Sequence, residues 1–321
     1  MRVSPRIQRW LTATDSDPSV RARFWLEVAG KSPRDREVQE TLRSIGRTGW
    51  AASILEHQMP DGHWFTRGSS APELYRPKYL VTNWRAIVLA DLGMTRADRR
   101  VRRTAELILE RWGRKRNELS GRDAEICVTG NAVRTLIRFG YLNDPVVQRA
   151  IAWIVRTQKA DGGWHCFKSR TGTLDSWEGL AALAEIPESV RDAPVRRSIE
   201  RGAEFFLRRR LMNEGRTPYP PWYRIHYPNH YYYDVLVGLR ILSRLGYGSD
   251  PRMVPGLDWL RRKRRRDGTW ALDAVHPDLV LERTDRWWTT VTFPMVFEQI
   301  GVPSRWATVE ALSVLARVGR S

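Results

Sequence analysis

Apolar positions in this chain recur mainly at helical spacing. In one clear stretch Val147, Ile151 and Ile154 fall on a single face, with polar residues between them. Few stretches show the two-residue alternation of a strand. Glycines, Asp-Pro pairs and Asp-Gly-x-Trp turns punctuate the helical stretches. Together these signals predict helices near 18–29, 36–58, 80–92, 98–112, 126–139, 144–158, 174–186, 194–210, 230–245, 250–264 and 304–318. Residues 265–303 carry no clear period and read as an irregular insertion, with a short helix near 288–299.

The pattern repeats. Residues 133–164 align without a gap on residues 239–270. The shared positions are Gly140/Gly246, Tyr141/Tyr247, Asp144/Asp250, Pro145/Pro251, Trp153/Trp259 and Trp164/Trp270. Each copy reads as one helix ended by a left-handed glycine, then a turn and an Asp-Pro cap. A second helix follows and closes in Asp-Gly-x-Trp. Partial copies lie at Asp17-Pro18 and at 51–64, which ends in Gln58, Asp61, Gly62 and Trp64. The unit is a pair of antiparallel helices. Taking every second helix as inner gives six, enough to close a ring and leave no repeat uncapped. No Gly-, Ser- or Pro-rich linker divides residues 1–321, so the chain reads as one all-α domain, an α/α toroid.

Composition adds little to that architecture. With 42% hydrophobic residues the chain can bury a core. No apolar run approaches the roughly 18–20 residues of a membrane span, and the N-terminus lacks an apolar signal region. A cytoplasmic protein is expected, peripheral to a membrane if its basic surface docks on one. Cys127 and Cys166 are the only cysteines, too few for a disulfide framework. The net charge of +18 is almost all arginine, since only six lysines occur. The arginines are spread along helices, which favours a compositional origin over a nucleic-acid tract. The run Arg261–Arg266 could meet an anionic surface or a diphosphate.

The stretches Gln58-x-x-Asp-Gly-x-Trp64 and Gln158-x-x-Asp-Gly-Gly-Trp164 resemble the QW motif of squalene and oxidosqualene cyclases. Related turns occur in protein prenyltransferase β-subunits. A third copy keeps Asp267-Gly268-x-Trp270 but has Arg264 where glutamine is expected. The resemblance extends from about Trp10 to Arg317. It is closest to bacterial single-domain proteins of prenyltransferase- or squalene-cyclase-like type. It implies a toroid whose QW turns tie helices together and whose working residues face a central cavity from the starts of inner helices.

The resemblance implies two kinds of chemistry. Glu125-x-Cys127 is similar to the Asp-x-Cys zinc pair of prenyltransferases. With Cys166 and a histidine, His165 or His230, it could complete a four-ligand Zn2+ site; otherwise no cofactor is expected. The zinc enzymes work with a helical partner subunit, of which this chain gives no sign. The Asp-x-Asp-Asp acid of class II cyclases is missing, because Asp15-Ser-Asp17 reads as a helix cap. Asp175 and Asp234 are then the candidate lone acids. Trp84, Trp177, Tyr231, Tyr232, Tyr233 and Trp306 are the candidate aromatic wall for an isoprenoid or other apolar chain. The leading expectation is a terpene-cyclase-like or prenyltransferase-like protein. The rivals are a zinc-dependent thiol enzyme, a basic module binding protein or nucleic acid, and a glycan-active barrel, the last disfavoured for want of a carboxylate pair.

Overall fold

The computed structural model describes residues 3–64, 74–75, 78, 81–213, 218–230, 232–275 and 296–319. The fold is all-α. Its helices are α1 (Pro5–Thr12), α2 (Pro18–Arg23), α3 (Arg36–Ser44), α4 (Gly49–Glu56), α5 (Thr82–Asp91), α6 (Arg99–Ile108) and α7 (Ile126–Phe139). They continue with α8 (Pro145–Thr157), α9 (Glu178–Ala184), α10 (Ala193–Arg208), α11 (Val235–Arg244), α12 (Val254–Arg262) and α13 (Arg305–Val318). Wider π turns prolong α2 over Phe24–Val28 and α6 over Leu109–Lys115. No helix among the described residues is long and apolar enough to cross a membrane.

Burial separates two sets of helices. Every residue of α5 and of α9 is buried, as are nine of the ten in α11. These, with α2, α7 and α13, form the inner set. The chain of neighbours runs α5–α7–α9–α11–α13–α2. The Arg23 guanidinium returns the path to α5 through a 2.8 Å bond to the Asp91 carbonyl. The outer helices α6, α8 and α10 bury one stripe only. The N-terminal α1 is the outer partner of the C-terminal α13. Arg305 stacks at 5.5 Å on Trp10 and pairs with Asp15 at 3.0 Å.

The Asp-Gly-x-Trp turns bind this scaffold, and they do so alike. Trp64, Trp164 and Trp270 are buried, and each donates its ring N–H to a carbonyl ten residues earlier, at 2.9, 2.9 and 2.8 Å. Gly62, Gly162 and Gly268 hold φ of 97°, 94° and 89°, where a side chain would be strained. Gln58 reaches the Arg100 carbonyl at 3.0 Å and Thr104 at 2.7 Å on α6. Gln158 reaches the Ser198 carbonyl on α10 at 2.9 Å. In the third copy Arg264 bonds, among the described residues, its own turn at the Gly268 carbonyl, and its guanidinium lies 5.6 Å from the Trp270 ring.

Several expected elements differ. Residues 36–58 form two helices, because Asp17 caps two helix starts at once. Its carboxylate accepts from the Ser19 amide at 2.8 Å and the Trp50 amide at 2.7 Å. The helix expected from 230 begins at Val235, because His230 has a left-handed φ of 49° and Asp234 is the cap. Helix α1 was not expected, although Ser4-Pro5 is the same cap signal as Asp17-Pro18. Its Ser4 hydroxyl accepts from the Ile7 amide at 3.3 Å. The helix expected near 288–299 falls mostly outside the described residues, and 296–299 are not helical. Two short antiparallel strands, β1 (Trp270–Ala271) and β2 (Pro303–Ser304), lie beside α13.

Ion pairs join the C-terminal halves of the inner helices. Asp91 pairs with Arg134 at 3.2 Å and with Arg138. Glu185 pairs with Arg138 at 2.6 Å and Arg244 at 2.7 Å. Glu310 pairs with Arg240 at 3.2 Å and with Arg23, and Glu27 pairs with Arg317. Here six arginines face four carboxylates. The partial negative charge of converging helix C-termini favours that excess.

Candidate active site

The opposite, N-terminal ends of α7, α9 and α11 border a cavity of about 500 Å³. That is within the range that holds a small organic ligand. Its wall carries Tyr75, Tyr219, Trp222, Tyr232 and Tyr233, with Phe167 at the rim. Its polar groups include Glu125, Cys127, His165, Cys166, Asp175 and Glu178, and Lys78 also lines it.

Packing sets this wall. Helices α7 and α9 cross at Gly130, where an added Cβ would lie 2.7 Å from the backbone of Glu178. The close crossing brings Cys127 and Glu178 to the same side. On its far side α9 rests on Trp164, whose ring would stand 2.6 Å from a Cβ on Gly179. The turn also holds the loop that follows it. Asp161 accepts from the Gly163 amide at 3.2 Å and the Gly172 amide at 3.0 Å. The Thr173 amide then bonds the Trp164 carbonyl at 2.9 Å. Cys166 is carried on this pinned loop. The QW-like turn therefore builds one wall of the site without touching its contents.

Glu178 dominates the electrostatics. It is fully buried, and among the described residues no other residue hydrogen-bonds either carboxyl oxygen. Loss of water pushes its pKa well above 4.5, and the like charges of Cys166 and Asp175 add to the shift; Arg134 opposes it. Burial thus favours the neutral, proton-bearing form of this carboxyl. Burial also raises Asp175, but its Oδ1 accepts the Trp222 ring N–H at 2.7 Å, which offsets part of the shift. Cys127 and Cys166 share the cavity wall, and the Cys127 thiol donates to Glu125 Oε2 at 3.7 Å. The neighbouring Cys166 thiol, burial and the charge of Glu178 push the Cys127 thiol up.

Some expected site residues meet here and others do not. Glu125, Cys127, Cys166, Asp175 and Tyr232 share the cavity wall. Asp234 lies elsewhere, as the cap of α11. It accepts from the amides of Val237 at 2.8 Å and His226 at 2.9 Å, and from the Asn229 side chain at 3.3 Å. His230 is buried edge-on to Trp84, with ring centres 5.4 Å apart, and does not line the cavity. Among the described residues no group of three His, Cys, Asp or Glu is placed to share a metal ion. Trp84 stands behind Tyr75, bonding its carbonyl at 2.8 Å. Trp177 and Trp306 lie under guanidinium groups, Arg134 at 5.1 Å and Arg23 at 4.7 Å, so those rings already hold cations. Tyr231 lies outside the described residues.

Sequence reasoning missed Glu178, Trp222, Tyr75 and Tyr219, whereas Tyr233 and His165, both expected at the site, do line the cavity. The available signal for Glu178 was Trp177-Glu178-Gly179, an acid in the first turn of an inner helix flanked by a large ring and a glycine.

No family model and no curated protein matches the chain. Among solved structures it is similar to the type II terpene cyclase MstE from Scytonema in its apo form. That match has 15% identity and a TM-score of 0.44, covering 96% of this chain and 89% of the other. It is also similar to a protein from Actinoplanes, at 15% identity and TM-score 0.41, covering 95% and 88%. A further match is an MstE variant in complex with geranylgeranyl dihydroxybenzoate, at 13% identity and TM-score 0.32, covering 94% and 98%.

Proposed function

We propose that the chain is an acid-initiated enzyme acting on an apolar, isoprenoid-type chain, with Glu178 as the proton donor. One observation carries the reading: a buried carboxyl that no other described residue hydrogen-bonds, in the wall of an aromatic cavity. In such a step the carboxyl O–H bond breaks and the alkene π pair forms the new C–H bond. The Glu178 carboxylate and a carbocation remain. The faces of Tyr232, Tyr75 and Trp222 lower the energy of the cation. Attack by a second double bond closes a ring, and loss of a proton returns the balance with no net redox change. Asp175, held by Trp222, stands beside Glu178 and is the candidate to receive that proton.

The test is incubation with labelled squalene and polyprenyl diphosphates of several lengths. The expected result is a cyclised or isomerised product from at least one of them. Glu178→Gln, which keeps the shape but not the acidity, is expected to lower its rate by about 100-fold or more. No binding and no product from any substrate would overturn the proposal. So would full activity in Glu178→Gln.

A thiolate–metal centre is the second reading, motivated by Glu125, Cys127 and Cys166 on one wall, although as they stand the three are not placed to share an ion. Elemental analysis of untagged protein decides it. Stoichiometric zinc that disappears in Cys127→Ser supports this reading; absence of metal leaves the acid mechanism alone.

A further inference from the structure

We propose that a second, smaller cavity, enclosed by Arg134, Arg138, Arg240 and Arg244, is a binding site for one halide ion, chloride being the ordinary one. The inference does not rest on the role given to Glu178. The cavity lies between α7, α9 and α11, on the side of the ion pairs, and measures about 10 Å³. That is about the least that holds a water-sized particle, so a monatomic ion suits it and a sulfate or carboxylate does not. The small side chains of Ala181 and Ala184 leave the space, and Trp177 and Ile241 help to close it. Arg244, with 36% of its side chain exposed, is the lining residue most open to solvent and gives an ion a way in.

Charge and unspent donors select an anion. Four guanidinium groups and one carboxylate, Glu185, line the cavity. Glu185 is engaged by Arg138 at 2.6 Å and Arg244 at 2.7 Å. The next carboxylates are shared, Asp91 between Arg134 and Arg138, and Glu310 between Arg240 and Arg23. Arg134 is buried. It donates to Asp91 at 3.2 Å and to the Asn131 side chain at 3.0 Å, but among the described residues nothing accepts from its Nε. Arg240 is also buried, and its guanidinium pairs with Glu310 at 3.2 Å. A guanidinium carries five N–H donors in a fixed fork, so both residues have donors in hand. Helix C-termini hold part of the excess positive charge. That effect fades within the last turn, and Arg134 stands further inside α7, which runs on to Phe139. Loss of water, with the like charges of Arg138 and Arg240, brings the Arg134 pKa down to about 10 against the pull of Asp91. An anion among these groups supplies the missing acceptor and offsets their mutual repulsion.

The experiment follows thermal melting of the full-length protein in sodium chloride and in sodium gluconate at matched ionic strength, so that general screening is the same in both. The expected result is a midpoint that climbs with the logarithm of chloride concentration once the site fills, and climbs less in gluconate. Bromide should act as chloride does. Arg240→Gln, which removes one cation from the cavity, is expected to abolish the difference between the two salts, while Arg262→Gln, on the exposed side of α12, keeps it. Wild-type crystals soaked in bromide should show an anomalous peak beside Arg134 Nε. A midpoint that rises no more in chloride than in gluconate overturns the proposal, and so does a difference that Arg240→Gln leaves unchanged. Should that variant fail to fold, the bromide crystals decide: peaks on surface arginines alone, or none at all, overturn it.

Discussion

At the residue scale, an acid in the first turn of a helix is ordinary, since the helix dipole favours its charge. Asp175 and Asp234 were the sequence candidates because each opens an inner helix, and the structure gives both of them hydrogen-bond donors. Glu178 differs in receiving none from any other described residue, and that is a property of burial which its place in the sequence does not reveal. The difference has a measurable sign. The folded-state pKa of Glu178 lies above its unfolded value, so the folded chain binds a proton that the unfolded chain has released. Its contribution to stability is complete below the unfolded pKa and is lost as pH rises through the folded one. Glu178→Gln removes the group that must be desolvated as an anion. The variant is expected to melt above the wild type at neutral and alkaline pH, with the gap closing below about pH 4. Melting curves across pH check this. A gap that widens as pH falls would show Glu178 to be a charged, paired group.

At the element scale, the helical period and the cap residues were legible because they act locally. Asp144 and Asp250 each bond an amide two residues on, at 2.8 Å, as their Asp-Pro signals predict. What was not legible depends on distant partners. The split of 36–58 follows from Asp17 reaching the amide of Trp50, and the late start of α11 from Asp234 gathering donors on both sides. The Gln-Trp turns lie between these cases. Their motif was plain, but their role in the site, shaping α9 and the Cys166 loop, appears only in three dimensions. Gln158 bonds the carbonyls of Gly162 at 2.8 Å and Ser198 at 2.9 Å, and accepts from the Ser198 hydroxyl at 3.0 Å. Gln158→Ala strands those carbonyls and is expected to cost about 1–3 kcal/mol in denaturant unfolding. The substitution is also expected to loosen Cys166, seen as faster alkylation of that thiol. The same change at Arg264, whose contact stays within its own turn, is expected to cost less. Equal losses at both positions would mean that the tie to the next helix adds nothing.

At the scale of the whole molecule, six inner helices run in parallel, so their N-terminal ends meet on one face and their C-terminal ends on the other. The first face holds the acids and the cavity, and the second holds the arginine-rich ion-pair network. The ring was legible from the repeat, whereas the network was not, because arginines spread through a basic sequence look alike. Part of the +18 charge is thus internal and structural. Asp91 is the key carboxylate. Burial alone would raise its pKa, but Arg134, Arg138, Arg240 and Arg23 hold it below the usual carboxylate range. Its stabilisation is present above the unfolded pKa and is lost as pH falls through the folded one, the reverse of Glu178. Asp91→Asn leaves buried guanidinium groups without a counter-charge and is expected to cost about 3–5 kcal/mol. Arg134→Met removes one of those cations, along with its stacking on Trp177 at 5.1 Å. If the network acts as a unit, the double variant should be less damaged than the sum of the two single losses, by about 0.5–3 kcal/mol. Urea unfolding of the four proteins measures that coupling. Strictly additive losses would mean that Asp91 and Arg134 are neighbours without a shared electrostatic role, and that the C-terminal face is held by packing alone.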